Sequence, residues 1–360
     1  MKTALAIFVG WIVAIHIFEI IIFPSMLYPN QVLSWATLTQ RFTLIWTTNA
    51  DTAHYMAIAK NGYRGESAAF FPLWPLVVRI LGTNPVVAKI AVGFFMLVFV
   101  LAYERLITVL GYSKIKGEVI LIFLAFPSSS LLNGAFSEPL FLALSAISLL
   151  FIEKRQYAKG ALVASLASAT RPIGILLTLY LGLKLILSGK ENLKKYWWTL
   201  PVSAIGLIAY SVYLYFAFGN ITLFATAQTT GWGRHIGVLS FLQLFKESMV
   251  VIGQVFGSYK PVPINLLQVG VTPFLLLLAI VGFKKINKPL WLYSLLTIVV
   301  PLYSGTYLGG LREILAAFPL FIPFGDFLAK RKLFFYFYIF LAMLFQSYLL
   351  MRFFNFEWVA

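Results

Sequence analysis

The sequence predicts an all-α polytopic membrane protein, and three observations lead to this fold class. The chain of 360 residues is 61% hydrophobic and only 11% charged, whereas charged residues make up about a quarter of a soluble globular domain. Its apolar runs have about 17 to 25 residues, the length of an α-helix that crosses roughly 30 Å of hydrocarbon. The short alternating segments of a transmembrane β-barrel do not occur in the sequence.

The formal net charge of +16 does not indicate a nucleic-acid surface. The Lys and Arg residues lie mainly in short loops between apolar runs, which is the pattern of membrane topology. The chain contains no Cys, so it has neither a disulfide framework nor a thiolate metal site. We therefore expect no nucleic-acid partner. The absence of Cys does not indicate whether the protein faces an oxidising or a reducing compartment.

The first apolar run, residues 4–23, predicts a retained helix. It is longer than the apolar core of a cleaved signal peptide and lacks a small-residue cleavage site. Residues 70–81 form a shorter apolar piece, which favours a re-entrant or interfacial helix. The other predicted crossings bring the number to about eleven. They are residues 85–103, 117–132, 139–151, 157–170, 173–187, 197–218, 266–283, 290–303, 314–328 and 333–351.

The basic residues give these helices a direction, because cytoplasmic loops are rich in Lys and Arg. Lys2 and five loop clusters fall on the same side, which is therefore predicted to be cytoplasmic. The clusters are Arg105, Lys114 and Lys116; Lys154, Arg155 and Lys159; Lys190, Lys194 and Lys195; Lys284, Lys285 and Lys288; and Lys330, Arg331 and Lys332. The extracytoplasmic side then receives a long first loop, 24–84, and a second long loop, 219–265. The whole chain, 1–360, is predicted to be one integral membrane domain.

Polar residues concentrate in the first loop, and Asp51 is the candidate catalytic residue there. The chain has only two aspartates, and the other, Asp326, lies beside Lys330 near a predicted cytoplasmic helix end, where a paired carboxylate costs little. Asp51 precedes the helical pattern TAHYMAIA, so it suits either the N-cap of that helix or a catalytic base at its head. His54 lies on the same helix face, as a packing residue or as a substrate contact.

Further candidates follow Asp51 in the first loop and at the start of a later helix. Tyr63, Arg64 and Glu66 come after a turn, and an ion pair between Arg64 and Glu66 is the simplest interpretation of the two charges. Glu66 is otherwise a second acid or a metal ligand. Glu138 follows Ser137 at a predicted helix start, where a carboxylate suits the helix dipole. Its role is either helix capping or substrate binding.

Three arginines on the predicted extracytoplasmic side favour an anionic ligand. Arg171 interrupts an apolar region, where an Arg costs about 2.5–3.5 kcal/mol and usually pairs or binds an anion. Arg312 has the same character, although the neighbouring Glu313 offers it a partner. Arg234 lies in the aromatic and Gly-rich stretch TTGWGRH. The sequence suggests a shortage of acidic residues on this face, which favours a phosphate held by Arg side chains.

These residues carry a resemblance to a known family, the PIG-V family of mannosyltransferases. The first-loop motif of that family resembles Asp51, His54, Tyr55, Ile58-Ala59, Gly62-Tyr63, Glu66 and the stretch AFFPL at 69–73. Further matches run over most of the chain: SEPLF at 137–141, ASATRPIG at 167–174, Gln228, Trp232, Arg234, Arg312 and Phe318-Pro319. The family usually has a Trp before the aspartate, where this chain has Ala50. The chain is also compact beside eukaryotic members, which favours a prokaryotic relative.

The resemblance implies a GT-C fold in a prokaryotic plasma membrane, with the active site on the extracytoplasmic face. It implies a polyprenyl-phosphate-linked sugar donor and a glycolipid or glycan acceptor, and mannose is the sugar that it favours. Asp51 is then the general base that takes a proton from the acceptor hydroxyl, with inversion at the anomeric carbon. Basic side chains stabilise the lipid phosphate that leaves. The expected substrate-binding residues are His54, Tyr63, Arg64, Glu66, Glu138, Arg171, Gln228, Trp232, Arg234 and Arg312.

Two other functions stay open on the sequence. A transporter or flippase for a lipid-linked anion would use the same arginines, but it predicts polar residues along a whole path, and the sequence has no convincing internal repeat. In a non-catalytic membrane scaffold, the same motifs would be caps and turns. No cofactor is expected. A divalent metal would require Asp51, Glu66 and Glu138 to converge.

Overall fold

The structure is a computed structural model, and the part of the chain that it describes is helical, without a strand. It describes residues 2–22, 43, 45–234, 237, 239–256, 263–303, 310–355, 357 and 359. A few of these, Trp232 among them, are described by their backbone alone. The predicted all-α class is confirmed for these residues.

The α-helices alternate with short 3-10 segments along the chain, and their bounds follow most of the predicted apolar runs. In order they are α1 (Lys2–Ile17), α2 (Asp51–Asn61), α3 (Leu73–Ile80), α4 (Pro85–Val109), α5 (Lys116–Ala125), α6 (Glu138–Glu153), α7 (Tyr157–Thr170), α8 (Leu176–Leu187), α9 (Lys190–Tyr196), α10 (Thr199–Phe218), α11 (Leu223–Trp232), α12 (Leu239–Phe256), α13 (Pro263–Gly282), α14 (Lys288–Leu302), α15 (Gly310–Glu313), α16 (Phe321–Ala329) and α17 (Lys332–Phe354). A π-helix extends α1, and 3-10 helices occupy Gly65–Ala69, Ser113–Ile115, Pro127–Asn133, Pro172–Ile175 and Ile314–Leu320.

Four helical segments in the described ranges are long and apolar enough to cross a membrane: Lys2–Ile22, Pro85–Val109, Thr199–Phe218 and Lys332–Phe354. A bent pair, Ser113–Ala125 with Pro127–Asn133, adds a fifth candidate. The chain is therefore a polytopic helical membrane protein. Several of the other predicted crossings correspond to shorter apolar helices, and the number of eleven stays a prediction.

Two predicted crossings are interrupted at prolines. The run 117–132 bends by 78° where α5 gives way to the 3-10 helix that begins at Pro127. The run 314–328 divides into a 3-10 helix and α16, with Ala317 in a non-helical conformation two residues before Pro319. Because proline lacks an N–H group and its ring clashes with the preceding turn, a continuous helix is disfavoured at both positions.

The two predicted long loops contain helices of their own. In the first, 24–84, residues 24–42 and 44 lie outside the described part of the chain, and the remainder holds α2 and α3. In the second, 219–265, residues 235–236, 238 and 257–262 lie outside it, and most of the remainder belongs to α11 and α12. Helix α3 falls within the predicted re-entrant or interfacial piece 70–81.

The helices nearest the candidate site are held by close packing of α6, α7 and α10. Helix α6 packs against α4 and α7, and α7 packs against α10 along much of its length. Gly206 allows this second contact, because a methyl group on its α-carbon would collide with the backbone carbonyl oxygen of Ser165. The pair α7 and α10 therefore depends on a glycine for its close approach.

We expect Gly206→Ala to lower the stability of the protein by about 1–3 kcal/mol, because overpacking forces the two backbones apart. The midpoint of thermal unfolding in detergent measures this. Gly93→Ala is the matched control within a spanning helix, since an added methyl group there meets no atom within 4 Å. Equal midpoints for the two variants would contradict this account of the α7–α10 contact.

Candidate functional site

Six charged side chains from five separate segments converge in one network: Asp51, Glu138, Arg171, Arg234, Arg312 and Glu313. The Arg312 guanidinium bridges two carboxylates. Its Nη2 lies 2.6 Å from Asp51 Oδ2, and its Nη1 lies 3.0 Å from Glu138 Oε1. Arg171 Nη1 contacts the same Glu138 oxygen at 2.7 Å. The first loop, α6 and the segment after α14 are thus joined through charged contacts.

Glu313 completes the network. Its Oε1 lies 3.3 Å from Arg171 Nη2 and 3.0 Å from Arg234 Nη2. Arg171 therefore contacts Glu138 through one terminal nitrogen and Glu313 through the other. The loop that follows α11 is brought to the same place as the turn between α7 and α8.

Burial differs along the network in a way that matters for access. The side chains of Arg312 and Glu138 are each only 4% exposed, whereas that of Asp51 is 29% exposed. The remaining members are 15–16% exposed. Asp51 is therefore the member that solvent or a substrate reaches most easily, and Arg312 holds it from the buried side.

The backbone directs Asp51 into this position. Ala50 has a φ of 51°, in the left-handed region that a residue with a side chain rarely adopts. The chain turns there and α2 starts at Asp51. Of the two roles that the sequence leaves open for Asp51, the N-cap role does not apply, because Ala50 holds the N-cap position and the Asp51 carboxylate pairs with Arg312.

Glu138 is the first residue of α6, as predicted, but Ser137 does not cap the helix with its side chain. The Ser137 hydroxyl instead forms a 2.8 Å hydrogen bond with the hydroxyl of Tyr55 on α2. The Arg312 guanidinium stacks over the ring of Phe136 at 4.0 Å. The turn before α6 thus contacts both the Asp51 helix and the central arginine.

A second group of side chains fixes the beginning of the same turn. Lys89, buried in α4, donates a 2.9 Å hydrogen bond to the carbonyl oxygen of Asn133 and lies over the ring of Trp46. The Trp74 indole on α3 donates to the Ala135 carbonyl oxygen at 2.7 Å. Sequence reasoning missed Lys89, although a lysine inside a predicted crossing is a signal of a specific role.

Arg234 reaches the network because α11 ends at Gly233. Gly233 has a φ of 62°, which suits glycine and reverses the chain at the helix end. Gln228, earlier in α11, donates a hydrogen bond to the Ala69 carbonyl oxygen at 3.4 Å. The side chain of Trp232 lies outside the described part of the structure.

The other first-loop candidates lie beside the network and are not members of it. The His54 ring is exposed and stacks on Phe70, with 5.0 Å between ring centroids. The Tyr63 hydroxyl donates to the Phe70 carbonyl oxygen at 2.8 Å. Arg64 and Glu66 are both exposed, and the ion pairs of the described residues include neither. The predicted Arg64–Glu66 ion pair is therefore wrong.

The expected shortage of acidic residues is also wrong for the described part of the chain. The sequence offers Glu313 as a partner for its neighbour Arg312. Consecutive residues of a helix do not face each other, and Glu313 pairs instead with Arg171 and Arg234. With Asp51 and Glu138, it matches the three arginines in number.

The arginines keep Glu313 charged. Burial alone raises the pKa of a carboxyl group, but the Arg234 and Arg171 guanidiniums outweigh burial and lower the pKa of Glu313 below its usual value. The network therefore contains a buried carboxylate that stays ionised near neutral pH. Its charge fixes the two guanidiniums that approach it.

The described residues contain no group of three or more His, Cys, Asp or Glu side chains that could hold a metal ion. Asp51 and Glu138 both approach Arg312, so a guanidinium occupies the position between them. Glu66 lies exposed in the 3-10 helix after α2 and does not join them. Oxygen ligands for a hard cation are thus not gathered here by the three carboxylates that the sequence suggested.

Comparisons with models of protein families, with curated proteins and with solved structures find no match to the chain. The resemblance to the PIG-V family therefore stays a prediction that rests on the residues quoted above. The geometry of the network is independent of it.

We expect Arg312→Gln to destabilise the protein by roughly 3–5 kcal/mol, because breaking a buried ion pair leaves an uncompensated charge. The midpoint of thermal unfolding in detergent measures the loss. Arg64→Gln serves as the control, since Arg64 is exposed and belongs to none of the ion pairs described above. An unchanged midpoint for Arg312→Gln would show that the network contributes little to the fold.

The lowered pKa of Glu313 predicts a pH dependence with a definite sign. A carboxyl group whose pKa is lower in the folded state contributes stability above its unfolded pKa, here 4.5, and loses it as the pH falls through the folded pKa. We expect the thermal unfolding midpoint of the unmodified protein to decrease when the pH is lowered below 4.5. The decrease should be smaller for Glu313→Gln. Glu66→Gln is the control. Parallel curves for the unmodified protein and Glu313→Gln would contradict the ion-pair account.

Proposed function

We propose that the protein is a membrane glycosyltransferase of the GT-C type, similar to the PIG-V family. It transfers a hexose from a polyprenyl-phosphate-linked donor to a hydroxyl group of a glycolipid or glycan, and mannose is the favoured candidate for the sugar. One observation carries this proposal: Asp51 is the accessible end of a network whose other members are more deeply buried. A carboxylate fixed in this way suits a general base.

In the proposed reaction the two carboxylate oxygens of Asp51 have different tasks. Arg312 contacts Oδ2, and within the described residues the hydrogen bonds of this carboxylate use that atom, so Oδ1 is available to an acceptor hydroxyl. Asp51 takes the proton of the hydroxyl as its oxygen attacks the anomeric carbon. The bond from that carbon to the donor phosphate breaks, and polyprenyl phosphate leaves as an anion. One displacement inverts the anomeric configuration.

The arginines suit the phosphate that leaves. A guanidinium carries five N–H donors in a planar fork, which suits binding to phosphate oxygens. The guanidiniums of Arg171 and Arg234 both contact one oxygen of Glu313, so two cations share a single carboxylate atom. Fixed donors at the position where charge develops stabilise a transition state without reorganisation. Glu138 and Glu313 hold the arginines and have no proton to transfer in this scheme.

The proposal includes the predicted topology, which places the first loop on the side of the membrane where the sugar of the donor would be transferred. About eleven crossings and five basic loop clusters on the side of Lys2 leave the first loop, 24–84, on the extracytoplasmic side. The lipid tail of the donor then lies in the bilayer while its sugar reaches Asp51. This arrangement requires no soluble cofactor.

We expect Asp51→Asn to lower the rate of transfer by about 10²–10⁴-fold, the usual contribution of a general base. The purified protein in detergent is incubated with polyprenyl-phosphate mannose and a panel of glycolipid acceptors, and labelled product is counted. Asparagine keeps an oxygen for the contact with Arg312, so the fold should survive, which the unfolding midpoint checks.

Glu191→Gln is the matched control, because it removes an exposed carboxylate of α9 that lies outside the network and on the predicted cytoplasmic side. It should retain most of the activity. Transfer by Asp51→Asn at the unmodified rate would refute the role of Asp51. Movement of the labelled lipid across vesicle membranes without transfer by any variant would favour a transporter instead.

A further inference from the structure

A groove of about 400 Å³ lies on the surface formed by α2, α3, α7 and α10, outside the ionic network. Its walls are mainly apolar, with contributions from Ile58, Ala59, Pro72, Pro75, Leu76 and Ala209. Tyr63, Tyr210 and Tyr213 line it as well. The hydroxyls of Tyr63 and Tyr210 donate to backbone carbonyl oxygens, so these two residues contribute mainly ring surface.

The groove opens between two surfaces that suit contact with lipid. Helix α10 is one of the membrane-span candidates, and its Ile208 and Tyr213 are 52% and 44% exposed. On α3, Leu76 and Ile80 are 50% and 75% exposed. Exposed apolar surface marks a membrane or protein contact, and on a membrane-span candidate the membrane is the expected contact. An apolar groove between such surfaces is accessible from the bilayer.

Among the described residues that line the groove, Arg79 is the charged one. Its side chain is exposed, and it belongs to none of the ion pairs among the described residues. An arginine at a lipid-facing surface normally pairs or binds an anion, because exposure to hydrocarbon is costly. A phosphate group is a favoured partner, since a guanidinium binds two of its oxygens at once. The groove therefore combines a place for a hydrocarbon chain with a cation for a phosphate.

Position along α2 separates this groove from the proposed reaction. Ala59 lies eight residues after Asp51, which corresponds to about 12 Å along a helix. In the proposed displacement the donor phosphate lies across the anomeric carbon from the hydroxyl that Asp51 activates, where Arg171 and Arg234 would contact it. Arg79 belongs to none of the ion pairs of the network, so we assign a lipid with its phosphate at Arg79 to a site separate from that of the donor.

We propose that the groove binds one anionic phospholipid of the membrane, with an acyl chain along the apolar walls and its phosphate on Arg79. The lipid contacts α3 and α10 together. Helix α3 carries Trp74, whose indole holds the Ala135 carbonyl oxygen three residues before Glu138. The bound lipid thus supports the turn that leads to the ionic network. This inference does not depend on the glycosyltransferase activity.

Photocrosslinking tests the site directly. The full-length protein is reconstituted in phosphatidylcholine vesicles that contain a small fraction of phosphatidylglycerol with a diazirine in one acyl chain, and the labelled peptides are mapped by mass spectrometry. We expect labelling within residues 58–63, 72–80 and 206–213. Arg79→Gln should lower it roughly tenfold, the effect of one lost charge-assisted hydrogen bond. Ala209→Trp fills the groove and should lower it similarly.

Two matched variants control for charge and bulk. Lys60→Gln removes an exposed cation of α2 that does not line the groove, and Ile208→Trp adds bulk to the exposed face of α10 beside it. Both should keep the labelling of the unmodified protein. Because Arg79→Gln changes an exposed residue, it tests the site even if Ala209→Trp fails to fold.

Three outcomes would overturn the proposal. Equal labelling of the groove by a zwitterionic phosphatidylcholine probe would remove the argument from charge. Labels confined to other parts of the chain would place the lipid elsewhere. Displacement of the phosphatidylglycerol probe by an equal amount of polyprenyl phosphate would assign the groove to the donor lipid instead.

Discussion

The contact of one guanidinium with two carboxylates is the constraint on which the candidate site depends. Arg312 holds Asp51 on one side and Glu138 on the other, and these residues come from chain segments far apart in the sequence. Without the arginine, two carboxylates would lie close together in a poorly solvated place, where like charges repel strongly. The position of the first loop relative to α6 is therefore set by charge as well as by apolar packing.

The rest of the network gives this contact its direction. Glu313 and Glu138 fix Arg171 from two sides, and Arg234 joins through Glu313. Buried ion pairs stabilise a fold little on balance, because desolvation offsets much of the attraction. Six charged groups that are mostly shielded from solvent therefore favour a functional explanation over a purely structural one. The gradient of exposure, from Arg312 to Asp51, makes one carboxylate accessible while its partners stay in place.

Much of the fold could be predicted from the sequence, because apolar runs of membrane length leave few alternatives. The run 157–170 coincides with α7, and proline positions explain where two other runs break. The unusual polarity of Asp51, Glu138 and the three arginines singles them out in the sequence, but it does not reveal their partners. The pairing of Glu313 depends on side-chain directions within a helix, and that of Lys89 on the turn folded against it. Such contacts between distant segments are set by the tertiary structure, which a local pattern does not reveal.

In the proposed mechanism, Asp51 acts as a base in a single displacement while Arg312 holds its carboxylate. The most direct test is the anomeric configuration of the product formed in a single turnover from a donor labelled with ¹³C at the anomeric carbon, followed by NMR. The account predicts a product of inverted configuration, with no covalent sugar adduct on the protein. A product of retained configuration would contradict the proposed role of Asp51, and the absence of transfer from every polyprenyl-phosphate sugar would contradict the enzymatic assignment.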